Sequence, residues 1–522
     1  MRTCGILQLS LIAGFSGAGW AQIQVDWTQT TTPPGFWLFY DAVTASSGAT
    51  YMITNVRTGP GPGDIDVGVS KINGDGSVGW NAQYNGPVGQ DVATAIVLSW
   101  DESAVYALGR SSVPGFGNSD FAILKYDAKT GSPIWTTLYD GGDLGIDSPY
   151  DIAGTPDGGV VATGGIDTPN EQRDFGTVKL DADGNVIWER KYTGQYIFLF
   201  ENDDSNFVTV TPEGDVVICG AAVSFDREAI VTIKYDGDTG ETLWEGVYNT
   251  PLSDWPRGLA LAPDGDVLMF GSDPFGLDRQ WVVASYDGTT GDEQWVTLVD
   301  PGFDESERAI TVGPDGTVYT TGSTDPDGDD SNANQNLIAI AYEGETGAVR
   351  WITEFGDLGS NDSEYGSGLY DDGAGSLYIV GATSSDSLVT NPFDTDGMLL
   401  RLDTTSGLVM DIELIDTTPE GGANIAENFR RIGIDGQGNV YAIGTASGSS
   451  SASLLVTKFA TARCLADFAP PFGQLDFSDV ASFLNAFGAG DPAADLAEPS
   501  GSLDFSDVSA FLIAFGAGCG AG

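Results

Sequence analysis

The chain has 522 residues, of which 75 are acidic and 21 are basic, and it contains no histidine, so its formal net charge is −54. Such a charge repels nucleic acids and anionic membranes, and we expect neither as a partner. The absence of histidine excludes Ser-His-Asp hydrolysis and histidine-rich zinc sites. The 72 glycines, the many Asp-Gly turns and a hydrophobic content of 41% are typical of a soluble all-β protein.

The N-terminus has the pattern of a secretory signal peptide. Arg2 precedes an apolar run from Ile6 to Phe15, and Gly19-Trp20-Ala21 forms a small-x-small cleavage site. We therefore expect residues 1–21 to be removed and the mature protein to be secreted or held at the cell surface. No later apolar run is long enough to cross a bilayer, so the chain is not expected to be transmembrane.

Seven tryptophans recur at intervals of 51 to 56 residues, which is the sequence period of a propeller or a solenoid. They are Trp27, Trp80, Trp135, Trp188, Trp244, Trp295 and Trp351. The third repeat shows four short β-segments separated by turns, namely 150–154, 160–164, 175–180 and 186–192, as one propeller blade requires. No helical period intervenes.

The blade count rests on the strand with the first tryptophan. A third strand is predicted eight times, and the last one ends at Phe459 without a tryptophan strand after it. Trp27 lies before the first repeat and supplies the missing strand, which closes the ring. The sequence therefore predicts an all-β, eight-bladed β-propeller over residues 22–462, closed by the N-terminal strand. In the seventh repeat Asp411 stands where tryptophan is expected.

The loops of most variable length lie on one face of this propeller, and aromatic and arginine residues accumulate there. We predict that seven of them ring the mouth of the central channel: Trp37, Tyr150, Trp255, Arg257, Arg308, Tyr365 and Arg430. Such side chains suit sugars that bear carboxylate or sulfate groups. The alternative is that the arginines pair with neighbouring acids and the aromatic rings fill gaps between blades.

The C-terminal segment 463–522 contains a second repeat with an offset of 28 residues. In each copy an acidic loop leads into Val, Phe, Leu and Phe at positions i, i+3, i+4 and i+7, which predicts an amphipathic helix. Cys464 and Cys519 bracket the segment, and in an oxidising compartment they could form a disulfide. Cys219 is expected to be a buried strand residue.

This two-copy pattern resembles a dockerin of the cysteine-bracketed type, over about the last 55 residues. The resemblance implies calcium ligands at Asp467, Asp476 and Asp479 in the first loop and at Asp495, Asp504 and Asp507 in the second. It also implies a cohesin-like or cell-envelope anchoring partner. Other family ligand positions hold Ala469, Pro471, Ala497 and Pro499, so calcium binding is expected to be weak. The alternative is that the acidic turns only cap two helices that pack on each other.

The blade turns carry a second resemblance. Segments such as Tyr126–Trp135 and Tyr235–Trp244 resemble the tryptophan-docking motifs of quinoproteins and the bacterial β-propeller repeats known as SBBP repeats, over roughly residues 23–460. We expect the tryptophans to be structural, because each can cover the neighbouring blade. Many quinoprotein dehydrogenases need adjacent cysteines, which this chain lacks, so no PQQ is expected.

Two functions follow from these patterns. The first is a non-enzymatic, secreted or cell-surface propeller that presents a binding face to an extracellular polysaccharide and is anchored by the dockerin-like segment. The alternative is a secreted enzyme, quinoprotein-like or carboxylate-based, that acts on a polysaccharide or polyol and is tethered by the same segment.

Overall fold

A computed structural model describes the chain from Ile23 to Ala489 with gaps, and five residues beyond it. The gaps are 60, 62–63, 116, 143–144, 169–171, 195–202, 225–226, 251–253, 276–277, 326–334, 357–362, 385–394, 418–424, 449–451 and 461–476. The five residues are Ala494, 508–509 and 511–512. The predicted signal segment 1–21 and Gln22 lie outside the described residues.

The described strands form eight four-stranded antiparallel sheets, here called blades 1 to 8. Strand β1 (Gln24–Thr31) is first in the chain but belongs to blade 8. Blade 1 contains β2 (Phe36–Thr44), β3 (Thr50–Arg57), β4 (Ile65–Ile72) and β5 (Val78–Tyr84). Blade 2 contains β6 (Asp91–Leu98), β7 (Ala104–Ser112), β8 (Ser119–Asp127) and β9 (Pro133–Tyr139). Blade 3 contains β10 (Ser148–Gly154), β11 (Val160–Thr168), β12 (Gln172–Leu180) and β13 (Val186–Tyr192). Blade 4 contains β14 (Asp204–Val210), β15 (Val216–Ser224), β16 (Arg227–Tyr235) and β17 (Thr242–Tyr248).

The second half of the chain repeats this order. Blade 5 contains β18 (Trp255–Leu261), β19 (Val267–Phe275), β20 (Asp278–Tyr286) and β21 (Glu293–Val299). Blade 6 contains β22 (Phe303–Val312), β23 (Val318–Asp325), β24 (Asn336–Tyr342) and β25 (Val349–Phe355). Blade 7 contains β26 (Glu364–Asp371), β27 (Ser376–Thr383), β28 (Asp396–Asp403) and β29 (Val409–Ile415). Blade 8 contains β30 (Ala426–Ile434), β31 (Val440–Ser447), β32 (Ala452–Ala460) and β1.

The blades are arranged in a ring around an axis. The first strand of every blade contacts the first strands of both neighbouring blades, and β30 contacts β2 in the same way. These eight strands, the inner strands, therefore surround the central channel. The prediction of an all-β, eight-bladed propeller is confirmed, and in the third repeat the predicted outer strand 186–192 agrees with β13.

Blade 8 combines the two ends of the propeller sequence. Strand β1 pairs antiparallel with β32, with Val25 opposite Phe459 and Thr28 opposite Thr457. The predicted position of the Trp27 strand beside the segment that ends at Phe459 is thus confirmed. Asp411, which replaces tryptophan in blade 7, accepts a hydrogen bond from the main-chain N–H of Ile23 at 2.6 Å.

The core is divided among the contacts between blades. Eight clusters of buried apolar side chains lie one at each junction between neighbouring blades. At the junction of blades 8 and 1, Phe39 and Met52 pack against Tyr441 and Ile443, with Trp27 beside them. Burial of apolar area therefore holds each blade to the next, including the last to the first.

The recurrent tryptophans connect neighbouring blades, as expected. In each of the seven, the indole N–H donates to a main-chain carbonyl of the next blade, for example Trp80 to Ala128 at 3.2 Å and Trp27 to Gly74 at 3.3 Å. The turn that receives the ring contains a glycine with positive φ. At Gly131, with φ of 72°, an added Cβ would lie 2.4 Å from the Trp80 ring, so both the conformation and the space require glycine.

Helix α1 (Phe477–Ala489) follows the propeller, and residues 508–509 and 511–512 are also helical. Phe483 and Phe511, which are equivalent in the two repeats, stack with ring centroids 4.1 Å apart. Cys464, Cys519, Asp467, Asp476, Asp495, Asp504 and Asp507 lie outside the described residues, as does the side chain of Asp479. Among the described residues, no helix is long and apolar enough to span a bilayer.

Candidate functional site

Each inner strand shifts its register by one residue near its middle, as a β-bulge does. The residue at this shift is Tyr40, Thr94, Tyr150, Asn206, Arg257, Arg308, Ser367 and Arg430 in blades 1 to 8. A bulge turns one side chain out of the ladder, so these eight occupy equivalent positions around the channel. Four of the seven predicted site residues are among them.

Three predicted residues from consecutive blades come together at one part of this ring. The guanidinium carbon of Arg308 in blade 6 lies 5.6 Å from the ring centroid of Tyr365 in blade 7. Burial raises the pKa of Tyr365, while the charges of Arg308 and Arg430 oppose this rise, so Arg430 of blade 8 acts on the same phenol. Asn428 donates a hydrogen bond to the Tyr365 hydroxyl. We call Arg308, Tyr365 and Arg430 the arginine arc.

Two other predicted residues, Arg257 and Tyr150, contact charged residues that were not among the predicted site residues. Arg257 forms an ion pair with Glu307 at 3.4 Å. Tyr150 donates to Asp204 at 3.4 Å and lies under Arg173, which is itself 3.1 Å from Asp204. These contacts agree with the alternative that arginines at this face pair with neighbouring acids.

The remaining two predicted residues are exposed tryptophans. Trp37 is 43% exposed and lies 4.7 Å from the guanidinium carbon of Arg57. Trp255 is 44% exposed and stands two residues before the register shift of blade 5, as Tyr365 does in blade 7. Among the described residues, no hydrogen bond or ring contact joins either tryptophan to the arginine arc. Four of the seven residues thus share the equivalent position at the register shift, and three of the seven form one cluster.

A charged group that sequence reasoning missed follows one residue after the register shift. Arg431 donates from Nε to Asp41, and the negative charges of Asp41 and Asp151 raise the pKa of Arg431. Both oxygens of Asp151 accept main-chain N–H groups, from Val208 at 2.9 Å and Ile152 at 2.9 Å. Burial nevertheless raises the pKa of Asp151 to about 7.

A second missed feature is an acid three residues before the register shift in seven blades, here called the corner acid. The corner acids are Asp91, Asp147, Asp203, Asp254, Glu305, Glu364 and Glu427, and the six whose side chains are described are buried. Several accept main-chain N–H groups from the loop that enters their blade, such as Gly86 to Asp91 at 2.6 Å and Gly141 to Asp147 at 2.7 Å. Blade 1 has Trp37 at this position.

Two corner acids lie in clusters of three carboxylates. Asp147 joins Asp120 and Asp140, and Glu427 joins Asp396 and Asp416. In each group, one carboxylate oxygen from each residue lies within 4.8 Å of the other two. Burial, reinforced by the neighbouring acids, raises the pKa of Asp147 to about 6 and that of Glu427 to about 7. The corner acids recur once in each of seven blades, so an alignment of the repeats on the inner strand would have revealed them.

The comparisons with known proteins concern the blades. The sequence profile of the family described as outer membrane protein assembly factor BamB matches residues 119–295, about a third of the chain. A search of curated proteins found no match.

Solved structures were also compared. The chain is similar to quinohemoprotein alcohol dehydrogenase from Comamonas testosteroni, with 12% identity over 87% of this chain and 78% of that one and a TM-score of 0.49. It is similar to a europium-containing methanol dehydrogenase, with 10% identity over 95% of this chain and 91% of that one and a TM-score of 0.49. It is also similar to polysaccharide lyase Uly1, with 12% identity over 84% of this chain and 99% of that one and a TM-score of 0.45. At such identities and TM-scores these likenesses support no statement about activity.

A quinone cofactor with its metal ion would require suitable ligands among the residues near the channel. Such a group needs carboxylates that are free to coordinate. Asp41 is ion-paired with Arg431, and both oxygens of Asp151 accept main-chain N–H groups. These two carboxylates therefore already have partners within the protein, and the expectation that no PQQ binds stays a prediction.

Proposed function

We propose that the protein is a secreted or cell-surface binding propeller whose arginine arc holds an anionic group of an extracellular polysaccharide. The observation that carries this proposal is that the two arginines of the arc are exposed and have no described acidic partner. In a chain of net charge −54, neither Arg308 nor Arg430 forms an ion pair with a described acid. Both side chains are exposed.

The contrast with other arginines on the same face strengthens the argument. Arg173, Arg257 and Arg431 each have a carboxylate within 3.4 Å. The positive charge of those residues is therefore compensated inside the protein. The charge of the arginine arc remains available for a carboxylate or sulfate, which guanidinium groups bind through paired hydrogen bonds.

The aromatic residues favour a sugar as the carrier of that charge. Tyr365 lies in the blade between those of the two arginines, its ring contacts Arg308, and its hydroxyl accepts a hydrogen bond from Asn428. Trp37, Tyr150 and Trp255 are 36% to 44% exposed on or beside the inner strands of other blades. Flat apolar rings with polar groups beside them are the usual lining of ligand sites, and a long anionic chain could contact several blades.

The experiment is binding to an array of neutral, carboxylated and sulfated glycans, followed by calorimetry with the glycan that binds. We expect binding only to anionic glycans. Arg308→Ala and Arg430→Ala should each weaken it by about 10- to 100-fold, because a hydrogen bond to a charged group contributes about 1.5–3 kcal/mol. Arg350→Ala is the control, since Arg350 is paired with Glu343 at 2.8 Å. Equal affinity of all three variants, or no anionic glycan that binds, would contradict the proposal.

The enzymatic alternative rests on Asp151. Its pKa of about 7 is that of a group able to give and take a proton near neutrality. Its two main-chain hydrogen bonds argue that the carboxyl is structural. A reducing-sugar assay on the bound glycan separates the two functions. If the unmodified protein releases reducing sugar and Asp151→Asn does not, the protein is a hydrolase and not only a binding protein.

The C-terminal segment is proposed as the anchor. Leu484 and Leu512 are equivalent in the two repeats and are 54% and 56% exposed, although Phe483 and Phe511 beside them are buried. A pair of exposed leucines on stacked helices supports a protein partner at the cell envelope. Binding to a cell-envelope fraction tests this anchoring. The unmodified chain should be retained and the double variant Leu484→Asp/Leu512→Asp should not, and equal retention of the two would contradict the proposal.

A further inference from the structure

The cluster of Asp396, Asp416 and Glu427 lies where blade 7 meets blade 8. Asp396 begins β28, Asp416 directly follows β29, and Glu427 is the corner acid on β30. One carboxylate oxygen from each of the three lies within 4.8 Å of the other two. Asp416 is exposed and Glu427 is fully buried, so the cluster extends from solvent into the junction.

One oxygen of Glu427 has no described hydrogen-bond partner, a state that among the corner acids Oε2 of Glu364 shares. Oε1 of Glu427 accepts from the N–H of Thr417 at 3.0 Å and from its hydroxyl. Oε2 is buried and accepts no hydrogen bond from any described residue. A buried carboxylate oxygen without a partner is costly, and native proteins rarely leave one.

Two other corner acids, Asp91 and Asp147, use both oxygens. Asp91 accepts from Gly86 and Ser111, and Asp147 accepts from Gly141 at 2.7 Å and from Asp167 at 3.0 Å. At Glu427, Oε2 has no described partner, and one oxygen from each of two further carboxylates lies within 4.8 Å of a Glu427 oxygen. Carboxylates at such distances repel one another unless a cation or a shared proton lies among them.

We propose that Asp396, Asp416 and Glu427 bind a Ca²⁺ ion at the junction of blades 7 and 8. An oxygen-only set of three carboxylates suits a hard cation. Calcium–oxygen distances of about 2.3–2.6 Å place two ligands of one ion at most about 5 Å apart, which matches the cluster. Carboxylates binding in a bidentate manner, together with water, would complete the six to eight oxygens that Ca²⁺ takes. This site is separate from the acidic loops of the C-terminal segment.

The ion would hold the strand that presents part of the arginine arc. Glu427, Asn428 and Arg430 all lie on β30, and Asn428 bonds to Tyr365. Ca²⁺ would join this strand to two strands of blade 7. Calcium binding is nevertheless measured directly, so its failure and the failure of the glycan proposal can be told apart.

The test is calcium titration of the full-length protein after treatment with a chelator and desalting. Calorimetry should show that Asp396→Asn/Asp416→Asn binds one Ca²⁺ fewer than the unmodified chain. A Ca²⁺ concentration about 100 times the Kd should raise the Tm of the unmodified chain by about 3 °C, and this shift should be smaller in the variant. Mg²⁺ at the same concentration should give a smaller shift.

The control is Asp140→Asn in the cluster of Asp120, Asp140 and Asp147. That cluster has the same three types of position, but both oxygens of its corner acid accept hydrogen bonds. It should keep the full number of bound ions. A double variant that binds as many Ca²⁺ ions as the unmodified chain overturns the proposal, and so does an equal loss in Asp140→Asn. Asp416→Asn alone, a change at an exposed position, should fold like the unmodified chain and should also bind one Ca²⁺ fewer.

Discussion

Replacement of Trp27 by alanine should release β1 from the propeller. The indole N–H donates to Gly74 at 3.3 Å, and its ring meets Tyr441 edge to face at 6.0 Å. A hydrogen bond contributes about 1 kcal/mol, an aromatic pair about 1 kcal/mol and the half-buried apolar surface about 1–2 kcal/mol. The opening of β1 should therefore become easier by about 3 kcal/mol, which is on the order of 100-fold in an opening equilibrium.

Hydrogen exchange followed by mass spectrometry measures this opening in residues 23–31. Trp135→Ala is the matched control, because Trp135 donates to Ala182 at 2.9 Å and its ring lies 5.9 Å from Tyr106. That variant should leave exchange in β1 unchanged. The reasoning is refuted if Trp27→Ala exchanges as slowly in β1 as the control does.

Three further changes have defined outcomes. Gly131→Ala should destabilise the protein more than Gly117→Ala, because both have positive φ but only the former would place its Cβ against an indole ring, and a denaturation midpoint measures this. Asp411→Ala should lower the free energy of unfolding by about 1–3 kcal/mol, because the N–H just before β1 loses its acceptor, and thermal denaturation measures it. For Asp151, the folded pKa of about 7 lies above the ordinary carboxyl value. The folded state thus holds a proton that the unfolded state releases, so the contribution of this group to stability falls as pH rises from about 4 to 7. Asp151→Asn should remove that part of the pH dependence of Tm.

Each of these has a contrary result. Equal midpoints for the two glycine variants would show that the contact with the indole adds nothing to the backbone strain. An Asp411→Ala variant as stable as the parent would mean that water replaces Asp411 as the acceptor of the Ile23 N–H. An unchanged pH profile in Asp151→Asn would show that another acid titrates in this range.

The blades could be predicted from the sequence because their signals are local. The Asp-Gly turns and the spacing of tryptophans indicate where the strands end, and the predicted end of segment 175–180 at Leu180 agrees with β12. The pairing of Trp27 with the last blade could be inferred because one strand was missing there and one was left over at the start.

The site could be predicted only in part because its contacts cross between blades. The sequence indicates that Arg257 and Arg308 lie on the same face, but not that one has Glu307 beside it while the other faces Tyr365. Among 75 acids, composition cannot show which carboxylate is near which arginine. The register shifts that place these side chains also depend on pairing with a second strand, which no local pattern records.

The position of β32 determines how the propeller responds to a mechanical load. The C-terminal segment leaves the ring from the end of this strand, which is hydrogen-bonded to β31 on one side and to β1 on the other. A pull on that segment acts along both ladders in shear, so many hydrogen bonds must break together before the strand leaves. A propeller fastened by its tail would in this way resist flow without unravelling from its own end.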